Sequence, residues 1–181
     1  MAMDQSVIKS KDSIKSTLKG ELYTSPEVFE LEKKHIFQKS WLFVGYEYQA
    51  AEPGQYITTK VQGENILITR GKDNILRAFL NVCRHRGATL CSAPSGKAGI
   101  IVCPYHSWSY GLDGSLASVP KSSECREELV NNDIYSLEKV NLQTWHGMIF
   151  LNFSENAQPL EEQINKQIME RFGELETIAR Y

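Results

Sequence analysis

Residues 55–81 read QYITTKVQGENILITRGKDNILRAFLN. Three runs of strand length, Gln55–Val61, Asn65–Arg70 and Ile75–Asn81, carry the β-branched and aromatic residues that favour a pleated sheet. Two short breaks, Gln62-Gly63-Glu64 and Gly71-Lys72-Asp73-Asn74, separate them, and glycine beside a polar residue supplies the turns that close antiparallel hairpins. The spacing therefore predicts consecutive hairpins, and such a meander favours a small antiparallel barrel or sandwich.

Upstream, Trp41-Leu42-Phe43-Val44-Gly45 is a short apolar run ending at glycine, which reads as a buried strand. Before it, Thr24-Ser25-Pro26-Glu27 opens a helix, with a hydroxyl for the N-cap, proline in the first turn and Glu27 placed for a capping box. Val28, Leu31, His35 and Ile36 share one face of that helix, flanked by Phe29 and Phe37, to about Ser40. Residues 1–24 are expected to form a mobile arm. Their Ser- and Lys-rich opening lacks the apolar run of a secretory signal, and Asp4 and Asp12 count against an organellar transit peptide, so a cytoplasmic location is expected.

Downstream, short strands are expected around Ile100–Cys103 and Trp108–Gly111, with a turn at Leu112-Asp113-Gly114-Ser115. Residues 121–138 read as a polar loop and Trp145–Phe153 as one strand closing the β unit. Beyond Pro159, Leu160, Ile164, Ile168, Phe172 and Leu175 recur at helical spacing.

Composition narrows the function classes. With 20 basic against 22 acidic residues the net charge is −2, which leaves no cationic surface for nucleic acid. No stretch approaches the 18 apolar residues of a membrane-spanning helix, so no membrane partner is expected. The 181-residue chain is long enough to bury a core without disulfides, so its four cysteines, Cys83, Cys91, Cys103 and Cys125, are not read as a disulfide framework.

Two short segments carry the chemistry, Cys83-Arg84-His85-Arg86-Gly87 and Cys103-Pro104-Tyr105-His106-Ser107-Trp108. Each offers one thiolate and one imidazole, and the 17 residues between His85 and Cys103 allow a loop out and a strand back. The pattern suits a [2Fe–2S] centre in which Cys83 and Cys103 hold one iron and His85 and His106 the other. Gly87 permits a sharp turn behind the first pair, and Pro104 fixes the backbone beside the second thiolate. A Cys₂His₂ zinc site is the alternative. Common structural zinc sites, however, place two Cys on one arm and two His on the other, whereas here each arm is mixed. Cys91, Cys125, His35 and His146 lie outside the pattern and are read as structural.

On these residues the chain resembles the N-terminal Rieske domain of the large subunit of Rieske non-haem iron oxygenases, the family of ring-hydroxylating dioxygenases and choline monooxygenase. The likeness runs over roughly residues 25–155, through Ser40–Gly45, Pro53-Gly54-Gln55-Tyr56, both cysteine–histidine segments and Trp145–Asn152. One departure is Ser107, where the family usually has glycine. The resemblance implies a mainly β fold, an antiparallel Rieske-type sandwich or barrel with two cluster-binding loops within residues 82–120. An N-terminal helix would precede it, and residues 156–181 would begin an amphipathic C-terminal helix leading to a catalytic domain absent from this chain. Trp108 is read as shielding the cluster and Tyr110 as donating a hydrogen bond to a ligand sulfur, or both equally as core aromatics, and Arg84 and Arg86 as docking acidic groups of a partner or as the solvated face of an exposed loop.

Respiratory Rieske proteins carry a disulfide between the loops and a serine hydroxyl near the cluster. Ala88, Tyr105 and Trp108 stand at those positions here, which implies a low-potential centre. The resemblance further implies an electron-transfer role. A reductase or ferredoxin would supply electrons, which would leave by an edge of His85 or His106. The acceptor would be a mononuclear Fe(II) in the catalytic domain of a neighbouring subunit of a homotrimer, for oxygen-dependent hydroxylation of a small organic substrate. That iron needs two His and a carboxylate, and of four histidines two are assigned to the cluster, so its site is expected outside this chain and catalysis with it. The alternative is a stand-alone Rieske ferredoxin, although such carriers usually lack the helix and the Ser40–Gly45 segment.

Overall fold

The computed structural model describes residues 17–120, 126–130 and 133–164. A short helix α1 (Glu21–Thr24) leads into α2 (Pro26–His35), whose first turn is capped by Ser25: its Oγ accepts from Val28 N–H at 3.2 Å and donates to Glu27 Oε2 at 2.6 Å. The helix stops earlier than the sequence suggests, giving way to a single 3₁₀ turn at Phe37–Lys39. Its apolar residues are not buried, and Phe29, Leu31 and Ile36 are about half exposed. Of the expected arm, residues 1–16 lie outside the described residues.

The β unit follows as β1 (Leu42–Tyr46), β2 (Gln55–Val61), β3 (Glu64–Arg70), β4 (Leu76–Leu80), β5 (Ser95–Lys97), β6 (Ile101–Val102), β7 (Ser109–Tyr110), β8 (Leu116–Ser118), β9 (Lys139–Trp145) and β10 (Met148–Asn152). Seven strands form one curled, half-barrel sheet in the order β1-β10-β9-β4-β3-β2-β5, and β6-β7-β8 form a second, all pairings being antiparallel. The meander is present as the turns dictate. Gln62 and Gly63 between β2 and β3 both adopt positive φ, 55° and 93°, the geometry that matches strand twist in a two-residue hairpin.

Strand β3 explains why its sequence is apolar without alternation. Ile66 and Ile68 face one core, with Ile57, Ala78, Val140, Ile149 and Leu151, while Leu67 faces another, with Phe79, Cys83, Cys103, Trp108 and Tyr110. A strand buried on both faces reads as a continuous hydrophobic run. The second core lies between the two sheets and seats both cysteine–histidine segments.

Three expectations need correction. Trp41–Gly45 is not a buried strand: β1 is an edge strand, and although Trp41 is buried, Phe43 is 50% exposed. Trp145–Phe153 is not one strand either, because His146 (φ 47°) and Gly147 (φ 76°) turn the chain, pairing β9 with β10. The stretch read as loop contains helix α3 (Arg126–Val130) and a 3₁₀ turn at Asp133–Tyr135. After β10 a single helical turn, α4 (Leu160–Gln163), seals the rim: Trp41 N–H donates to Gln163 Oε1 at 2.7 Å and Trp41 Nε1 to the Gln158 carbonyl at 2.7 Å. Ile164 then leaves helical backbone, and Ile168, Phe172 and Leu175 of the apolar stripe lie outside the described residues. Among the described residues no helix is long and apolar enough to cross a membrane.

Candidate metal centre

The two segments form loops closed by the same pair of backbone hydrogen bonds. In the first, Cys83 N–H donates to the Ala88 carbonyl at 2.8 Å and Gly87 N–H to the Cys83 carbonyl at 2.9 Å. In the second, Cys103 N–H donates to the Trp108 carbonyl at 2.8 Å and Ser107 N–H to the Cys103 carbonyl at 3.0 Å. The fourth residue after each cysteine sits in the left-handed region, Gly87 at φ 73° and Ser107 at φ 57°. That geometry is free for glycine and strained for serine.

The equivalent loops bring like groups together. Cys83 and Cys103 are unpaired thiols, each 2% exposed, at the base of the loops and close enough to interact with each other. His85 and His106 lie farther out, their ring centroids 4.8 Å apart at 74°. Burial pushes the Cys83 thiol above its ordinary range, and burial, with His106 and Arg86 adding, holds the His85 imidazole below its own. His85 Nδ1 is buried without a hydrogen-bond partner. A buried, unpartnered nitrogen beside two buried thiols is costly in an empty protein interior and suits metal ligation. The donors stand two and two, sulfur inside and nitrogen outside, and among the described residues no group of three His, Cys, Asp or Glu side chains gathers around one point. This donor set fits a [2Fe–2S] group, which takes thiolate at one iron and imidazole at the other.

The remaining candidates divide. Tyr110 is fully buried with its hydroxyl 3.3 Å from Cys83 Sγ and accepting from Arg84 N–H at 3.0 Å. Trp108 stacks on His85, centroids 4.9 Å apart and planes within 7°, and its far edge meets Tyr135. Arg84 is exposed on the first loop, its Nη1 pairing with the exposed Glu138 at 3.3 Å and its Nη2 reaching the Ile134 carbonyl at 3.5 Å. Arg86 is exposed beside His85. Tyr105, 65% exposed, tilts over His106 with centroids 4.0 Å apart.

His35 is exposed, and His146 occupies the exposed β9–β10 turn, both away from the loops. Cys91 and Tyr56 both pack against the second core, and Cys125 lies outside the described residues. Sequence reasoning missed Tyr135 and Asn81. Tyr135 sits in a stretch whose polarity hid its contact with Trp108, whereas Asn81, two residues before Cys83, holds the Cys91 backbone with its carboxamide, Nδ2 donating to the carbonyl and Oδ1 accepting from the N–H, a contact that nothing in the sequence signals.

Comparison with known proteins agrees with this geometry. Residues 40–143 match the family model of the Rieske [2Fe–2S] domain. The carnitine monooxygenase oxygenase subunit of Acinetobacter baumannii is 48% identical over 143 residues, covering 78% of this chain and 38% of that protein. The benzene 1,2-dioxygenase subunit alpha of Pseudomonas putida is 39% identical over 140 residues, covering 77% and 31%. Among solved structures, a quaternary ammonium Rieske monooxygenase in complex with gamma-butyrobetaine aligns with a TM-score of 0.74 at 44% identity, covering 85% of this chain and 43% of that one. The chain thus spans less than two-fifths of the length of these two curated relatives.

Proposed function

Because this chain belongs to the Rieske [2Fe–2S] domain family, we propose that it is the electron-transfer portion of an oxygenase terminal component, with Cys83 and Cys103 holding one iron and His85 and His106 the other. The observation that carries the reading is the pairing of two buried thiols with two adjacent imidazoles on equivalently closed loops. When bound, the cluster supplies one-electron acceptance and release at low potential.

The protein's own residues set the conditions. Tyr110 is placed to donate its hydroxyl proton toward Cys83 Sγ, because a cysteine that holds iron is a thiolate with no proton of its own, while the phenol oxygen accepts from Arg84 N–H. Trp108 fixes the plane of His85 and, with Leu90 and Leu137, keeps water from the sulfur side. The imidazoles lie toward the surface, so we place the electron exit at an edge of His85 or His106. Arg86, exposed beside them, is left to meet acidic groups of a partner.

The partners that fit are a reductase or ferredoxin as donor and, as acceptor, a mononuclear non-haem Fe(II) in the catalytic domain of a neighbouring subunit of a homotrimer. One solved relative is described as revealing inter-subunit electron transfer, which supports that arrangement. The relatives named above are oxygenase subunits, which supports this reading over a stand-alone Rieske ferredoxin. A cytoplasmic location suits a reductase-fed oxygenase component.

The test is iron and acid-labile sulfide analysis of the purified chain with electron paramagnetic resonance after reduction, repeated on Cys83→Ser and His106→Ala. The wild type is expected to hold two iron and two sulfide per chain and to give a signal on reduction, and both variants to lose it. An unchanged cluster in both variants, or a single tetrahedral ion in folded wild type, defeats the reading.

A further inference from the structure

Below the two thiols the loops are built differently. The second rises from a ladder of two backbone rungs, Ile101 with Tyr110 and Val102 with Ser109, continued by the hydrogen bond from Cys103 to Trp108. The first has one bridge at the matching level, Val82 with Thr89, and beneath it the backbone falls out of register. Continuing the same pairing would set Asn81 opposite Leu90. Leu90 is instead buried in the inner core, and Asn81 pairs with Cys91.

The side chain of Asn81 spans this gap. Its Nδ2 donates to the Cys91 carbonyl at 2.7 Å, and its Oδ1 accepts from Cys91 N–H at 3.0 Å, so one carboxamide satisfies both backbone groups as a ladder partner would. Asn81 is itself 2% exposed and anchored to the sheet, its N–H donating to the Asn65 carbonyl beside β3 at 2.8 Å. Only a side chain with one acceptor and one donor at this reach can do so. Aspartate lacks the donor and brings a buried charge, while alanine offers neither group.

We propose that Asn81 is the positioning residue of the first loop: its carboxamide replaces the missing backbone rung and sets where Cys83 and His85 stand relative to Cys103 and His106. The proposal rests on the ligand assignment above for its consequence and on the loop geometry alone for its mechanism. The two can therefore fail separately.

The test compares wild type, Asn81→Ala and Ile68→Ala, the last a destabilising change in the core on the other face of β3. In the metal-free chain, amide hydrogen exchange at Cys83 and Gly87 is expected to accelerate roughly 10-fold or more in Asn81→Ala, with Cys103 and Ser107 unmoved relative to the rest of the sheet. Ile68→Ala, by contrast, should shift both loops together. In the iron-loaded protein, Asn81→Ala is expected to lose its cluster to a chelator roughly 10-fold faster and to change the resonance g-values, while Ile68→Ala keeps the wild-type spectrum. Equal acceleration of both loops in Asn81→Ala overturns the proposal, as do unchanged g-values with an unchanged rate of cluster loss. Should Asn81→Ala not fold, Asn81→Asp is read by the same comparison, since it keeps the acceptor for Cys91 N–H while losing the donor and adding a buried charge. A wild type that takes up no cluster would defeat the ligand assignment and leave the exchange comparison to decide the role of Asn81.

Discussion

Replacing Tyr110 by phenylalanine removes one oxygen from a fully buried site and nothing else from the packing. That oxygen has two partners, Arg84 N–H at 3.0 Å and Cys83 Sγ at 3.3 Å. Burial, together with Cys83, holds the phenol above its ordinary range, so it stays protonated throughout the stable pH range. A hydroxyl has one proton, and a thiolate that holds iron has none, so between the two the phenol is the donor and its proton is directed at the sulfur. Two effects follow. The Arg84 amide loses its acceptor, which destabilises the fold by about 1–3 kcal/mol. A hydrogen bond to a ligand sulfur is stronger in the reduced, more negative state, so losing a difference of about 1–2 kcal/mol between the states lowers a one-electron potential by roughly 40–90 mV. Spectroelectrochemical titration of wild type and Tyr110→Phe at one pH measures the shift directly. A potential that stays within about 10 mV of wild type, or rises, would refute the argument that this hydroxyl donates to Cys83.

Gly114→Ala places a methyl 2.3 Å from Cε1 of the buried Phe79 ring at a φ of 86°, so backbone strain and overpacking together should cost about 2–5 kcal/mol in urea unfolding. Phe79→Leu in the same chain should recover part of that loss, and strict additivity would contradict the steric account. Ser107→Gly relieves the left-handed serine and should raise stability by about 0.5–1 kcal/mol after the greater freedom of the unfolded glycine is subtracted, read as a higher Tm; a lower Tm would show that the hydroxyl is needed. Asp73 is held at about 2, chiefly by its hydrogen bond from Arg77, against an ordinary value of 3.8. Its folded value is the lower one, so its contribution is complete above about pH 4 and is lost as pH falls toward 2. Asp73→Asn should flatten that part of the acid unfolding curve, and matching curves for both proteins would dispose of the pair as a contributor.

The meander was legible because Gln62-Gly63 and Gly71–Asn74 leave the chain little choice but to turn, and the runs between them have strand length. Both cysteine–histidine loops stood out as candidates for a different reason: thiol and imidazole side chains at short spacing have few structural uses. What stayed hidden depends on pairing rather than composition. Phe43 reads as core by its own chemistry, and only the order of the sheet shows β1 to be an edge. The turn at His146-Gly147 was concealed by the apolar residues on either side, which look like one run until β9 is recognised as the partner of β10. The Arg84–Glu138 pair was hidden because Glu138 is distant in sequence and lies in a segment that reads as loop.

The division of the molecule into two cores gives this fold its use. One core, around Ile57, Ile66, Ile68 and Ile149, holds the large sheet together and contains none of the four ligand residues. The other, around Phe79, Cys83, Cys103 and Trp108, is the floor on which both loops stand. Strand β3 belongs to both, presenting alternate residues to each, so the large sheet supplies a rigid base while the loops project away from it. Buried thiols beneath outward imidazoles follow from that placement, because cysteine tolerates the apolar floor and histidine does not need to enter it. An electron carrier needs this asymmetry: a dry, fixed side that sets the potential and an accessible side from which a partner can be reached. Below its thiol the first loop has a single backbone bridge, Val82 with Thr89, supplemented by the Asn81 carboxamide, where the second has a ladder of two rungs, so the first is where loss of one side chain should most easily disturb the site.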